Sequence, residues 1–189
     1  FNNPITTTPG TTPNQYLRFR LSDGITLVQI DRDGPGATHA WQDVATLAAR
    51  TFELTEYLAA RPGFAPPGAL SASAAYHDSC SSLRELSVEA QPRALLSGVG
   101  LSVRNLANAR ACCGFGGTFC VKYPEISDRM AAEKCADVAA TRAELLLGND
   151  LGCLLHLAGK LKRDGARTQV RHVAEVLVGG TLTAAIGDP

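Results

Sequence analysis

Hydrophobic and polar positions change period several times along this chain, and each change marks an expected element. Residues 1–38 show little period: "NNPITTTPGTTPNQ" and "DRDGPGATH" carry the Pro, Thr, Asn and Gly of loops. They read as an irregular, weakly ordered N-terminal segment with one strand, "ITLVQI", at 25–30. From Ala40 to Arg61 the apolar Val44, Leu47, Leu54 and Leu58 recur at roughly helical spacing and predict a helix. "RPGFAPPGAL" (61–70) then breaks the chain, so 39–70 is expected to be a helix followed by a Pro/Gly linker.

Beyond the linker, strand and helix patterns alternate. "SASAAYH" (71–77) reads as a strand, "VEAQPRALLSG" (88–98) as a helix, and "RACCG" as the end of a second short strand. "YPEISDRMAAEKCADVAATRAE" (123–144) is the clearest helix, with Pro124 suited to its first turn. "ELLLG" (144–148) reads as a buried strand. "NDLGCLLHLAGKLKR" (149–163) is a helix stopped by Asp164-Gly165, and "TQVRHVAEVLV" gives a last strand and a short helix. This alternation predicts an α/β domain over 71–179, with a mainly parallel sheet flanked by helices and a tail at 180–189.

Composition narrows the function classes. Lys plus Arg total 18 and Asp plus Glu total 18, so the net charge is zero. That balance gives no electrostatic argument for nucleic acid or an anionic membrane surface. No apolar run reaches the roughly 20 residues of a membrane span. The start, "FNNPITTTPG", has neither the basic nor the apolar region of a signal peptide, which leads us to expect a cytoplasmic protein. No GxGxxG loop follows a strand, so neither a flavin nor a nicotinamide is expected on this chain.

The chemistry lies in six cysteines: Cys80, Cys112, Cys113, Cys120, Cys135 and Cys153. In a reducing compartment such thiols point to metal or redox chemistry rather than to disulfides. Cys80 follows one expected strand, Cys112 and Cys113 end another, and Cys153 opens the helix after a third. Ligands in open α/β sheets gather where strands end and helices begin. These four thiols can therefore meet on one rim, although their separations are too long for a zinc knuckle. Soft thiolates select zinc, copper(I) or iron–sulfur clusters. Adjacent cysteines are awkward for one tetrahedral zinc and natural for two irons of one cluster. Gly114, Gly116 and Gly117 would let backbone N–H groups approach bound sulfur. Cys135 shares a helical face with Ala131 and Val138 and is expected in the core. Asp150 reads either as a helix N-cap or as a ligand. His77 and His156 are near enough to support the site, and Lys122 reads as solvated charge or as an offset to the charge of a cluster.

The segments "YHDSC" (76–80), "ACCGFGGTF" (111–119), "VKYPEISDRMAAEK" (121–134) and "NDLGCLLHLAG" (149–159) resemble the cysteine-rich CCG domain. Within that family the chain is similar to the lactate utilization protein A group. The iron–sulfur subunit of glycolate oxidase and the cysteine-rich subunit of heterodisulfide reductase are relatives. The family pattern is one Cys, then Cys-Cys-Gly, then Cys-x-x-Cys. Cys80, Cys112, Cys113 and Cys153 fall on it, and Asp150 occupies the remaining cysteine position. Cys120 lies off the motif.

The resemblance implies one iron–sulfur cluster, of the [4Fe–4S] type, with zinc as the alternative metal. Cys80, Cys112, Cys113, Cys153 and Asp150 would be ligands, and His77, Gly114, Gly116 and Gly117 would line the cofactor. It implies electron transfer in a complex that oxidises L-lactate or a related 2-hydroxy acid, alongside other iron–sulfur or flavin subunits. Two other classes stay open: a zinc-binding or metal-free assembly module, and a thiol–disulfide protein using Cys112 and Cys113. Full-length relatives carry two such modules. No cysteine precedes Cys80, so this chain is expected to be the C-terminal half of a longer protein, with at most one cluster.

Overall fold

The computed structural model describes residues 17–22, 25–30, 42–43, 51–180 and 183–188. It divides into two compact units, 1–52 and 53–189. In the first, β1 (Leu17–Ser22), β2 (Ile25–Ile30) and β3 (Gln42–Asp43) form an antiparallel sheet in the order β1-β2-β3. The strand expected at 25–30 is β2. Its partner β1 lies in a stretch read as irregular, although "LRFRLS" alternates apolar and polar residues as a half-buried strand does; the Pro/Thr/Asn-rich residues before it obscured that signal. The rest of the segment expected to be irregular lies outside the described residues.

The helix expected over 40–61 is corrected. Gln42 and Asp43 pair with β2, residues 44–50 lie outside the described residues, and the helix α1 runs only from Leu54 to Ala59. A capping box sets its start: the Glu53 carboxylate accepts from the Thr55 and Glu56 N–H groups, and Glu56 returns the bond to the Glu53 N–H.

The second unit is the expected α/β domain. Four parallel strands, β4 (Ser73–His77), β5 (Ser102–Arg104), β6 (Leu145–Gly148) and β7 (Gln169–His172), lie in the order β5-β4-β6-β7. Each side of the sheet is covered. Ala75, Leu146 and Val170 share register and face one core, filled by Ala131, Cys135 and Val138 of α4 (Pro124–Thr141) and by Leu154, Leu157 and Leu161 of α5 (Leu151–Arg163). Ala74, Tyr76, Leu145 and Leu147 face the other core, against Leu95 and Leu96 of α2 (Ala90–Gly98) and Val173, Val176 and Leu177 of α6 (Val173–Leu177). Burial on both faces explains why "LLL" in β6 is a continuous apolar run rather than an alternating one. The short helix α3 (Thr118–Lys122) precedes α4.

Two local expectations change. "RACCG" is not a strand end: β5 closes at Arg104, and residues 105–117 run as turns and bends to α3. The tail is held to the sheet, since the Ile186 N–H donates to the Val170 carbonyl at 2.9 Å and Ala185 is buried.

The chain leaves β4 for β5 on one side and then returns to β6 on the other. The crevice beyond the carboxyl ends of β4 and β6 is therefore the topological switch point, where open α/β sheets bind ligands.

Candidate metal centre

Three segments deliver the cysteines to this crevice. β4 ends at His77, and a π-helical turn over Ser81–Glu85 begins directly after Cys80. Ser79 and Ser82 fasten that turn through a hydroxyl pair at 2.9 Å, and the Asn149 amide donates to Ser82 Oγ at 2.8 Å, tying the ends of β4 and β6 together. Asp78, buried beside His77, takes a bidentate pair of bonds from Arg93 of α2, at 2.8 and 2.7 Å. Arg93 also donates to Asn105 in the loop that leads to Cys112. One guanidinium thus fixes the Cys80 segment against the Cys-Cys segment.

The second segment is the glycine turn. Gly114 has φ +88°, and a Cβ there would lie 2.7 Å from the Ser127 carbonyl oxygen, so only glycine lets the loop lie this close to α4. Ser127 Oγ donates to the Gly114 carbonyl at 2.8 Å and lies 3.3 Å from His156 Nε2. The Gly114 N–H donates to Cys112 Sγ at 3.3 Å, which is the backbone-to-sulfur contact expected of this turn. Gly116 and Gly117 also have positive φ, and among the described residues neither N–H donates to the sulfur of Cys80, Cys112, Cys113 or Cys153.

The third segment is the start of α5. Asp150 is its N-cap and accepts the Cys153 N–H at 2.9 Å. Between them, Gly152 leaves room for the Phe115 ring: a Cβ there would lie 2.4 Å from Phe115 Cε1. Phe115 thus seats the Cys-Cys-Gly turn directly on the helix that carries Cys153.

One ligand atom each from His77, Cys113 and Cys153 lies within 4.8 Å of the others. His77 and Cys113 are buried, and Cys153 is half-buried. A hydrogen bond from Cys153, with further help from His77 and the Phe115 N–H, pulls the Cys113 thiol well below its ordinary range. That same bond, added to burial, pushes Cys153 up. A soft cation bound by both sulfurs would displace their protons. Burial, and then a bond to Cys112, raises Cys80, so these two thiols form a neighbouring pair. Neither ring nitrogen of the buried His77 meets a hydrogen-bond partner of normal geometry among the described residues. A buried, unbonded imidazole beside two thiols costs stability unless something binds it, and a metal would supply that bond.

The structure therefore brings His77, Cys113 and Cys153 within ligand distance of one another, with Cys80 and Cys112 as a neighbouring pair outside that compact group and Asp150 as the helix cap beside Cys153. Cys135 is buried in the core, as its helical face predicts, and burial raises its thiol to about 11. Cys120 donates to the Gly117 carbonyl at 3.1 Å and joins no ligand group among the described residues. Lys122 is exposed. Sequence reasoning passed over Lys134, which is only 2% exposed. Its Nζ donates to the carbonyls of Asn108 and Ala109 at 2.7 and 3.4 Å. The one available signal was a lysine on the face that also carries Ala131, Cys135 and Val138. Among the described residues no helix is long and apolar enough to cross a membrane.

Comparison with known proteins gives the same picture. The cysteine-rich (CCG) domain model matches residues 74–158. The "Uncharacterized protein YkgE" of Escherichia coli strain K12 is 45% identical over 136 residues, 71% of this chain and 57% of that protein. Lactate utilization protein A 2 of Bacillus cereus strain AH820 is 42% identical over 147 residues, 77% of this chain and 61% of that protein. Lactate utilization protein A of Shouchella clausii is 44% identical over 133 residues, covering 69% and 56%. The chain thus spans little more than half the length of these relatives.

Proposed function

Residues 74–158 are a cysteine-rich domain of the CCG family, and from that premise we propose that the chain is an iron–sulfur electron-transfer subunit, or part of one. Its setting would be a complex that oxidises lactate or a related 2-hydroxy acid, in keeping with the names of its relatives. The partners would be other iron–sulfur or flavin subunits that bear the substrate site. Free thiols at all six described cysteines suit a reducing compartment, and we place the chain in the cytoplasm.

The observation that carries this reading is the convergence of Cys113, Cys153 and His77 within 4.8 Å beside the Cys80–Cys112 pair. Five soft or borderline donors exceed the four that tetrahedral zinc takes. They suit a centre with more than one metal atom, and four thiolates are the usual complement of a [4Fe–4S] cluster. When bound, such a cluster accepts and releases single electrons. The protein's part is to orient the five donors through Arg93, Phe115 and the Asp150 cap. It also supplies the Gly114 N–H to sulfur and keeps water from the buried side.

Zinc held by His77, Cys113, Cys153 and one further thiolate is the second reading, because those three ligand atoms already form a compact group. Anaerobic reconstitution, with iron, acid-labile sulfide and zinc quantified beside an EPR spectrum, separates the two. Iron and sulfide are expected in near-equal amounts; zinc without sulfide would refute the cluster. Cys113→Ser should abolish iron binding while Cys135→Ser leaves it intact, and equal iron in both would refute the ligand set. Metal-free protein with a redox-active thiol pair would favour thiol–disulfide exchange.

A further inference from the structure

We propose that Lys134 is the countercharge of the metal centre, a buried ammonium that holds positive charge against the thiolates and raises the centre's reduction potential. This rests on the metal-binding reading above, and four observations on the residue itself support it.

First, Lys134 sits mid-helix in α4 at 2% exposure, where lysine is almost never found without a paired charge. Second, its direct partners are carbonyls, those of Asn108 and Ala109. Carbonyls satisfy the N–H donors without supplying a full negative charge; Asp137 offsets part of it, and a buried cation favours further anions beside it. Third, Lys134 and Cys112 line the same small cavity of about 100 Å³, with Ala111 and Met130 among its other walls. Fourth, the carbonyls that hold Nζ belong to the segment leading into Cys112 and Cys113, so the ammonium is fixed to the chain that carries two ligands.

Asp137, one turn along α4, completes the grip. Its carboxylate accepts the Ala107 and Asn108 N–H groups at 2.9 and 2.8 Å. Those bonds direct its charge to the loop, on the exposed side. Burial lowers the Lys134 ammonium's pKa, while Asp137, Cys113, Asp78 and Cys112 act in the opposite direction.

An iron–sulfur centre held by four thiolates is anionic and becomes more so on reduction. A fixed cation nearby therefore favours the reduced state. The exposed Lys122, the other lysine near the site in sequence, is screened by water and has no such effect.

The test uses the full chain, reconstituted anaerobically, as wild type, Lys134→Met, Lys134→Gln, Lys134→Arg and Lys122→Met. Gln keeps an N–H donor for the loop carbonyls, so it serves if Met disturbs folding. The charge-removing variants should shift the reduced-to-oxidised ratio at a fixed potential by tenfold or more, about 59 mV downward for one electron. Lys134→Arg and Lys122→Met should stay with wild type. Equal potentials at equal iron content, or the same shift in Lys122→Met, would overturn the proposal. If the wild type takes up zinc without sulfide, the iron–sulfur reading falls and Lys134 is judged on zinc. The rise in melting temperature on zinc loading should then be smaller in Lys134→Met and Lys134→Gln than in wild type and Lys134→Arg. Equal rises would show that Lys134 only pins the loop, and no uptake of either metal overturns both readings.

Discussion

At the scale of single residues, the informative atoms are those whose surroundings disagree with their chemistry. His77 is buried, and neither ring nitrogen makes a hydrogen bond of normal geometry among the described residues. His77→Leu should therefore stabilise the metal-free protein by about 1–2 kcal/mol while reducing its metal uptake. Urea unfolding paired with metal titration checks this, and a destabilised metal-free variant would mean that His77 is held by packing alone. Cys135 makes the opposite case, a thiol content in its core. Burial raises its folded-state pKa from 9.0 to about 11. Below pH 9 both states keep the proton and the contribution is complete. As pH rises through this window, the unfolded chain releases its proton first and stability falls, by roughly 2–3 kcal/mol in all. Cys135→Ala should show a shallower loss between pH 9 and 11 in urea unfolding, and identical slopes would contradict the burial argument.

At the scale of elements, the start of α5 bears on a question that spacing left open. Asp150 stands where the family pattern has a cysteine, and its carboxylate caps the helix through the Cys153 N–H. Asp150→Asn keeps a capping oxygen but removes the charge, whereas Asp150→Ala removes both. If the side chain acts as a cap, Asn should retain wild-type stability and iron content and Ala should cost about 1 kcal/mol. Loss of iron in Asp150→Asn would make the carboxylate a ligand. The helices α4 and α5 were legible because each has a clear stop or start: Pro124 at the first turn of α4, Asp150 before α5 and Gly165 after it. The helix over 40–61 was misread because Val44, Leu47, Leu54 and Leu58 keep helical spacing across a boundary. That pattern takes no account of the Glu53 capping box, which starts α1 late. The strand assigned to "RACCG" failed because small residues and cysteines suit a tight loop equally well.

At the scale of the whole molecule, the proposed metal centre joins the end of β4, the Cys-Cys-Gly loop and the start of α5. Ligands from three segments bound in the native state and scattered in the unfolded chain make metal affinity a part of stability. Removing the metal with a chelator should cost about 2.7 kcal/mol if it had been bound at a hundredfold excess over its Kd, seen as a lower melting temperature. Acid should produce the same loss by protonating the thiolates. Unchanged melting in both would place the thiols outside the folding equilibrium. Sequence alone establishes the fold class and marks four cysteines as candidate ligands, because alternating apolar periods and a spaced thiol motif are one-dimensional signals. It also placed Cys135 in the core, since a helical face can be read from spacing. Only the tertiary structure decided that His77 stands with Cys113 and Cys153, that Arg93 ties two ligand segments together, and that Lys134 rather than Lys122 lies buried by the site. Those facts depend on which side chains burial leaves without water or partners. Burial arises from the packing of segments far apart in the chain, so no local pattern records it.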